Sequence, residues 1–174
     1  MVLLIIHPQR LYSLVRFQKP TNVLEIGAGY TSIFLLQALK DNYDELVKYQ
    51  ELIRAGDCHC EGTPWCVDSF MKDESKHFGK LACVDNLAHA ATTAQKVVEA
   101  AETLELLDHL DLFFKDAWDY MDDSEPSADT APLDMAWLDF GQGEKLGMFM
   151  EKVHAPSHRY PSTFHTCTFP LVFL

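Results

Sequence analysis

Basic residues are scarce in this chain. Lys and Arg number 14 against 26 Asp and Glu, a formal net charge of −12. A surface with that balance repels phosphate backbones, so nucleic acid is not an expected partner. Long apolar runs are missing too. Met1–Ile6 (MVLLII) is far shorter than the roughly 20 residues that span a bilayer, which argues against a membrane partner. The same run enters His7-Pro8-Gln9-Arg10 with neither a basic start nor a small-residue cleavage site, so no signal peptide is expected. The five cysteines are an odd count and include no Cys-x-x-Cys pair. A reduced, cytoplasmic protein is the resulting expectation, with Cys83 as a buried thiol in an apolar run. No internal repeat is present, which excludes solenoids.

What remains is an ordinary globular composition. The chain has 174 residues, 48% hydrophobic and 23% charged, which fits a single domain over 1–174 with a core of its own.

Short apolar runs alternate with helical periodicity. Pro8 to Phe17 places Leu11, Leu14 and Val15 on one helical face. Asn22 to Ile26 (NVLEI) reads as a buried strand and runs into Gly27-Ala28-Gly29. Helices are expected over about Thr31–Leu39 and again over Asn42–Ala55, the latter stopped by Gly56. Residues 57–79 lack a hydrophobic period and are expected to be an exposed, mobile loop. Lys80 to Asp85 (KLACVD) reads as the second strand. An amphipathic helix follows, with Leu87, Ala90, Ala94, Val97, Ala101 and Leu104 in phase and Asn86 as its N-cap. Leu110–Phe114 is the third strand, Asp119–Pro132 an acidic loop, and Leu133–Leu138 the fourth strand. Gln142–Val153 has helical character, and Ala155–Leu174 shows no clear period.

Strands alternating with helices predict an α/β domain, a Rossmann-like mainly parallel sheet with flanking helices. In such sheets the ligand crevice lies beyond the carboxyl ends of the strands. Four acids fall there: Glu25, Asp85, Asp116 and Asp139. The glycine turn lets backbone approach a ligand, and the helix after it presents free N–H groups. A carboxylate such as Glu25 suits a ligand with an ammonium group. Asp85 suits two vicinal ribose hydroxyls, because a carboxylate accepts two hydrogen bonds. A dinucleotide fingerprint would need a third small residue where Ser32 stands, and an apolar residue in place of Glu25. A nicotinamide-dependent oxidoreductase is therefore the weaker alternative.

These residues resemble class I S-adenosylmethionine-dependent methyltransferases. Val23-Leu24-Glu25-Ile26-Gly27-Ala28-Gly29-Tyr30-Thr31-Ser32 looks like the family's glycine-rich first motif, in the variant where Gly-Tyr-Ser-Thr replaces the third glycine. Val84-Asp85 looks like the second motif, Lys115-Asp116-Ala117 the third, and Leu133–Asp139 the fourth strand. The style is closest to small-molecule O-methyltransferases of the catechol type, and the likeness covers about residues 8–150. It implies S-adenosylmethionine as cofactor and a small-molecule acceptor. The methionine end would lie on Glu25, Gly27, Ala28 and Gly29, the ribose on Asp85, and the adenine on Asp116 and Ala117. No catalytic residue is implied.

The sequence departs from that family in two ways. The spacing from Gly27 to Asp85 is long, which points to an insertion over about 41–79. The family's fifth strand and antiparallel hairpin find no match in 155–174. The expected sheet is then incomplete at its C-terminal end, with an open edge on the fourth strand that invites self-association. A cofactor-binding but catalytically silent domain is the second functional expectation. Asp139 is a candidate metal ligand, but the later Asp-Asn pair that would complete a metal-dependent O-methyltransferase site is missing, so no metal is expected. Cys58, His59, Cys60 and Cys66 do not have zinc-site spacing and read as loop thiols. Trp65 and Trp137 read as packing residues and Lys145 as a solvated lysine. His7, His154 and His158 carry no assigned role.

Overall fold

In the computed structural model, which describes residues 8–57, 78–88, 92–123, 133–139, 147–149, 151 and 171–172, Asn22–Ile26 form strand β1. Helix α1 (Pro8–Gln18) precedes it and helix α2 (Tyr30–Ala55) follows. Then come β2 (Lys80–Val84), α3 (Ala94–Thr103), a 3₁₀ turn at Leu107–His109, β3 (Leu110–Phe113), α4 (Ala117–Asp123), β4 (Met135–Leu138) and β5 (Leu171–Val172). The strands lie in the order β3-β2-β1-β4-β5, and every pairing is parallel. This is the Rossmann-like α/β architecture expected from the alternation of strands and helices. Among the described residues no helix is long and apolar enough to cross a membrane.

Both faces of the sheet are covered, as parallel sheets require. Val23, Leu81, Cys83, Met135 and Trp137 pack with Leu11 and Val15 of α1, Leu35, Leu36 and Leu39 of α2, and Val97 and Ala101 of α3. The alternate residues Leu24, Ile26, Val84 and Leu138 pack with Ala117, Tyr120 and Met121 of α4 and with Phe149. Trp137 and Cys83 thus sit in the core as expected.

Several boundaries differ from the sequence expectation. The two helices expected over Thr31–Leu39 and Asn42–Ala55 are one 26-residue helix. Asp41 and Asn42 do not break it because α1 engages their side chains. Tyr12 donates to Asp41 at 2.6 Å, Arg16 to Asn42 at 2.6 Å, and Asn42 donates to the Val15 carbonyl at 3.1 Å. Glu45, one turn further on, receives Lys19 at 2.9 Å and Arg16 at 2.8 Å. The Lys19 ammonium, with Arg16, holds the Glu45 carboxyl below its ordinary range. Gly56 ends α2 in the left-handed conformation.

Asn86 does not cap a helix. Asp85 accepts from the Leu87 N–H and Asn86 from the Ala88 N–H, two local turns that compete with helix formation. Leu87 is left at φ 56°, and α3 starts only at Ala94. The third strand stops at Phe113, one residue early. The acidic loop expected from Asp119 begins instead as α4, whose start is capped by Asp116 accepting the Trp118 N–H at 2.9 Å. The fourth strand is shorter, Met135–Leu138. Residues 147–149 and 151 within the expected 142–153 helix are helical. The tail does supply a strand: Leu171 and Val172 pair with Trp137 and Leu138, so this part of the β4 edge is occupied. Residues 58–66, with Cys58, His59, Cys60, Trp65 and Cys66, and Lys145, His7, His154 and His158 lie outside the described residues.

Leu35 is fully buried between α2 and the sheet, whereas Leu52 near the helix end is 40% exposed. Leu35→Ala is expected to lower unfolding free energy by about 2–5 kcal/mol, and Leu52→Ala by less than about 0.5 kcal/mol, in urea titrations.

Candidate functional site

The hydrogen-bond ladder runs one residue past the strand ends. Gly27 donates to the Val84 carbonyl at 2.8 Å, Asp85 to the Phe113 carbonyl at 3.0 Å, and Asp139 to the Ile26 carbonyl at 2.9 Å. Because the strands are parallel, this overrun brings Gly27, Asp85 and Asp139 to one edge of the sheet. The strand order reverses there: β2 lies on one side of β1 and β4 on the other. Open parallel sheets bind ligands at such a point.

The turn after β1 is built tightly against β4. Gly27 has φ 93°, and a Cβ there would lie 2.5 Å from the Asp139 carbonyl oxygen. Ala28 is buried and donates its N–H to Asp85 Oδ2 at 3.1 Å. Gly29 caps α2. Its N–H donates to Ser32 Oγ at 2.9 Å, and Ser32 N–H donates back to the Gly29 carbonyl at 3.1 Å. Ser32 stands where a dinucleotide fingerprint has its third small residue, and its hydroxyl tightens the turn. The first turn of α2 carries no acidic residue, so its N–H groups favour an anionic ligand group.

Glu25 lies deeper than its place in the motif suggests. It has no exposed surface and stands level with Cys83 on β2 and Trp137 on β4. Thr31 Oγ1 donates to Oε1 at 2.7 Å and Cys83 Sγ lies 3.1 Å from Oε2. Burial pushes its pKa up to about 7. Ser32, Thr31 and Cys83 oppose the rise, and the charge of Asp139 adds to it. The Cys83 thiol is pushed up in turn by burial and by Glu25. Glu25 therefore braces the turn from inside.

Asp85 is half-buried. Each of its oxygens accepts one backbone N–H: Oδ1 from Leu87 at 2.7 Å and Oδ2 from Ala28 at 3.1 Å. Asp116 caps α4 and accepts Asn86 Nδ2 at 3.4 Å, which links the ends of β2 and β3. Ala117 is the first residue of α4, and its side chain is buried against β1. Asp139 is exposed at the end of β4. The structure thus brings Asp85, Asp116, Asp139 and the glycine turn to one edge, with Glu25 behind the turn. Among the described residues no three His, Cys, Asp or Glu side chains are grouped as a metal site.

Thr31, Ser32 and Cys83 were not singled out as site residues by sequence. Two hydroxyl residues in the first helical turn, six and seven residues after an acid in the strand, are the signal that could have found them.

No family model matches the chain, and no curated protein matches it in sequence. A search of solved structures finds similarity to the O-methyltransferase TomG from Streptomyces achromogenes, involved in tomaymycin synthesis and solved in complex with SAM. The identity is 19%, the TM-score 0.54, and the match covers 87% of this chain and 51% of that one. The chain thus spans about half the length of that structure, and the likeness is one of fold.

Two tests address the turn. Gly27→Ala must accept both the positive φ and the clash with Asp139, and is expected to cost about 2–4 kcal/mol. Gly56→Ala, with φ 77° but open space around it, is expected to cost about 1 kcal/mol. Denaturant midpoints compare the two.

The second test concerns pH. The Glu25 carboxyl binds its proton more tightly in the folded chain than at its ordinary value of 4.5. Its contribution to stability is complete below pH 4.5 and is lost as pH rises to about 7, up to about 3 kcal/mol in the limit. Glu25→Gln should flatten the stability profile across that window. An unchanged slope would remove Glu25 as its source.

Proposed function

We propose that this chain binds S-adenosylmethionine at the carboxyl edge of its sheet and serves methyl transfer to a small-molecule acceptor, in the manner of an O-methyltransferase. The observation that carries the reading is the join at the strand-order reversal. The glycine turn after β1 sits between the ends of β2 and β4, with the Asp85 carboxylate bonded to its Ala28 N–H. The fold likeness to an SAM-bound O-methyltransferase supports the same reading.

The donor and acceptor set at this edge fits the cofactor. Each Asp85 oxygen has given one lone pair to a backbone N–H and keeps another for a ribose hydroxyl. Asp116, next to Ala117, offers an acceptor to the adenine amine. The backbone of Gly27, Ala28 and Gly29 and the first turn of α2 suit the methionine carboxylate. Glu25 places negative charge behind the turn, toward the methionine ammonium. When bound, S-adenosylmethionine supplies an already activated methyl group. The chain's own contribution is to orient the two reactants and exclude water.

A second reading, a cofactor-binding but catalytically silent domain, keeps the same site. Transfer of labelled methyl to a panel of catechols and phenols separates the two.

Calorimetric titration with S-adenosylhomocysteine and with NAD tests the cofactor. The first should bind and the second should not. Asp85→Ala should weaken S-adenosylhomocysteine by about 1–3 kcal/mol. Unchanged affinity would take Asp85 out of the site, and preference for NAD would overturn the methyltransferase reading.

A further inference from the structure

We infer that Thr93 is a binding residue for the carboxylate end of the ligand: its hydroxyl, beside the bare Cα of Gly29, donates to a carboxylate resting on the glycine turn. The inference rests on the proposed cofactor reading and deepens it.

Backbone conformation does not account for the glycine at position 29. Gly29 has φ −169°, extended backbone that any residue adopts, whereas Gly27 has φ 93°. Tight packing does not account for it either. Among the described residues, and apart from its chain neighbours, only Thr93 Oγ1 lies within 4 Å of where a Gly29 Cβ would stand, at 3.2 Å. The missing side chain therefore leaves a gap with a hydroxyl on its wall.

That hydroxyl is not spent elsewhere in the fold. Thr93 is exposed and stands at the N-cap of α3, where a threonine ordinarily bonds a backbone N–H of the first turn. Its side chain makes no such bond. Oγ1 faces the turn instead, 3.5 Å from the Ala28 carbonyl oxygen. Hydroxyl hydrogen bonds are ordinarily about 2.7–2.8 Å long, so this one is weak and its proton is open to a better acceptor. Asp85 takes the N–H of the same Ala28 at 3.1 Å. The two ends of the β2–α3 connection thus close on one residue, an acceptor at its N–H and a donor at its carbonyl.

Charge decides which part of the ligand meets Thr93. The acids of the edge follow β2, β3 and β4, as Asp85, Asp116 and Asp139. The first turns of α2 and α3 carry no acid, and α3 has Lys96 there. A zwitterion laid across the turn is therefore oriented, with its ammonium toward Asp139 and Glu25 and its carboxylate toward Thr93. A hydroxyl bond to a carboxylate is charge-assisted and stronger than the neutral bond to the Ala28 carbonyl that it replaces.

The test is calorimetry of the full chain with S-adenosylhomocysteine and with 5′-(3-aminopropylthio)adenosine. The second probe keeps the nucleoside, sulfur and ammonium and lacks only the carboxylate. The unaltered chain should prefer S-adenosylhomocysteine by about 10-fold or more. Thr93→Val should weaken S-adenosylhomocysteine by about 10-fold and change the aminopropyl probe by less than about 2-fold. Thr93→Ser keeps the donor and should bind S-adenosylhomocysteine within about 2-fold of the unaltered chain. Should Thr93→Val fail to fold, Thr93→Ala removes the same hydroxyl and carries the same expectation. No preference in the unaltered chain, or unchanged S-adenosylhomocysteine affinity without the hydroxyl, would overturn the inference alone. Equal weakening of both probes would do the same, since Thr93 would then act on the turn and not on the carboxylate. Failure of both probes to bind the unaltered chain would overturn the cofactor reading, and the inference with it.

Discussion

A carboxyl group held in the core without water is the constraint around which this end of the molecule is arranged. Glu25 occupies a position on β1 whose neighbours across the sheet are Cys83 and Trp137, on a face otherwise filled by Val23, Leu81 and Met135. Such a group is costly to bury unless its hydrogen-bonding capacity is met. Thr31 and Cys83 meet it, and each comes from a different requirement of the fold. Cys83 is a core residue of β2. Thr31 and Ser32 are the second and third residues of α2. The carboxyl therefore fixes where α2 may begin, and Ser32 in the same helical turn accepts the Gly29 N–H. With the helix start and the strand end both pinned, the two intervening residues have little freedom. Gly27 takes φ 93° against the Asp139 carbonyl, and Ala28 turns its N–H to Asp85.

This explains what the sequence could and could not reveal. The strands were legible because NVLEI, KLACV and MAWL are short apolar runs bounded by turn residues. The acids at the strand ends were legible with them, since a parallel sheet puts all carboxyl ends on one side. The burial of Glu25 was not. Side-chain parity distinguishes an inner face from an outer one only where one face meets water, and here both faces of β1 are covered. Helix limits failed for a related reason. Asp41 and Asn42 look like breakers in isolation, yet Tyr12 and Arg16 satisfy them from another helix. Asn86 looks like a cap, yet local Asx bonds at Asp85 and Asn86 hold Leu87 and Ala88 out of helix. In each case a long-range partner or a competing short-range bond decided the outcome, and neither is written in periodicity.

The acids at this edge have structural roles that, on the function proposed above, leave capacity for a ligand. Asp85 ties the end of β2 to the turn after β1, and Asp116 starts α4 while reaching Asn86. These bonds orient the carboxylates and hold them still. They also use only part of what each oxygen can accept. A residue so placed is already ordered before a ligand arrives, so little side-chain entropy remains to be lost on binding. The strain at Leu87, a non-glycine residue at φ 56°, is the local cost of pointing Asp85 back at the turn.

Charge gives the last link. Asp85, Asp116 and Asp139 lie at one edge of a chain whose net charge is already −12, with Glu25 behind them. Backbone N–H groups from Ala28, Leu87 and Trp118 offset part of that repulsion, as the dipoles of a turn and a helix start do for any anion. They do not neutralise it. A ligand that carries positive charge, and hydroxyl or amine donors besides, relieves the remainder, whereas a polyanion adds to it. On the function proposed above, a field of that sign suits a cationic small molecule rich in donors.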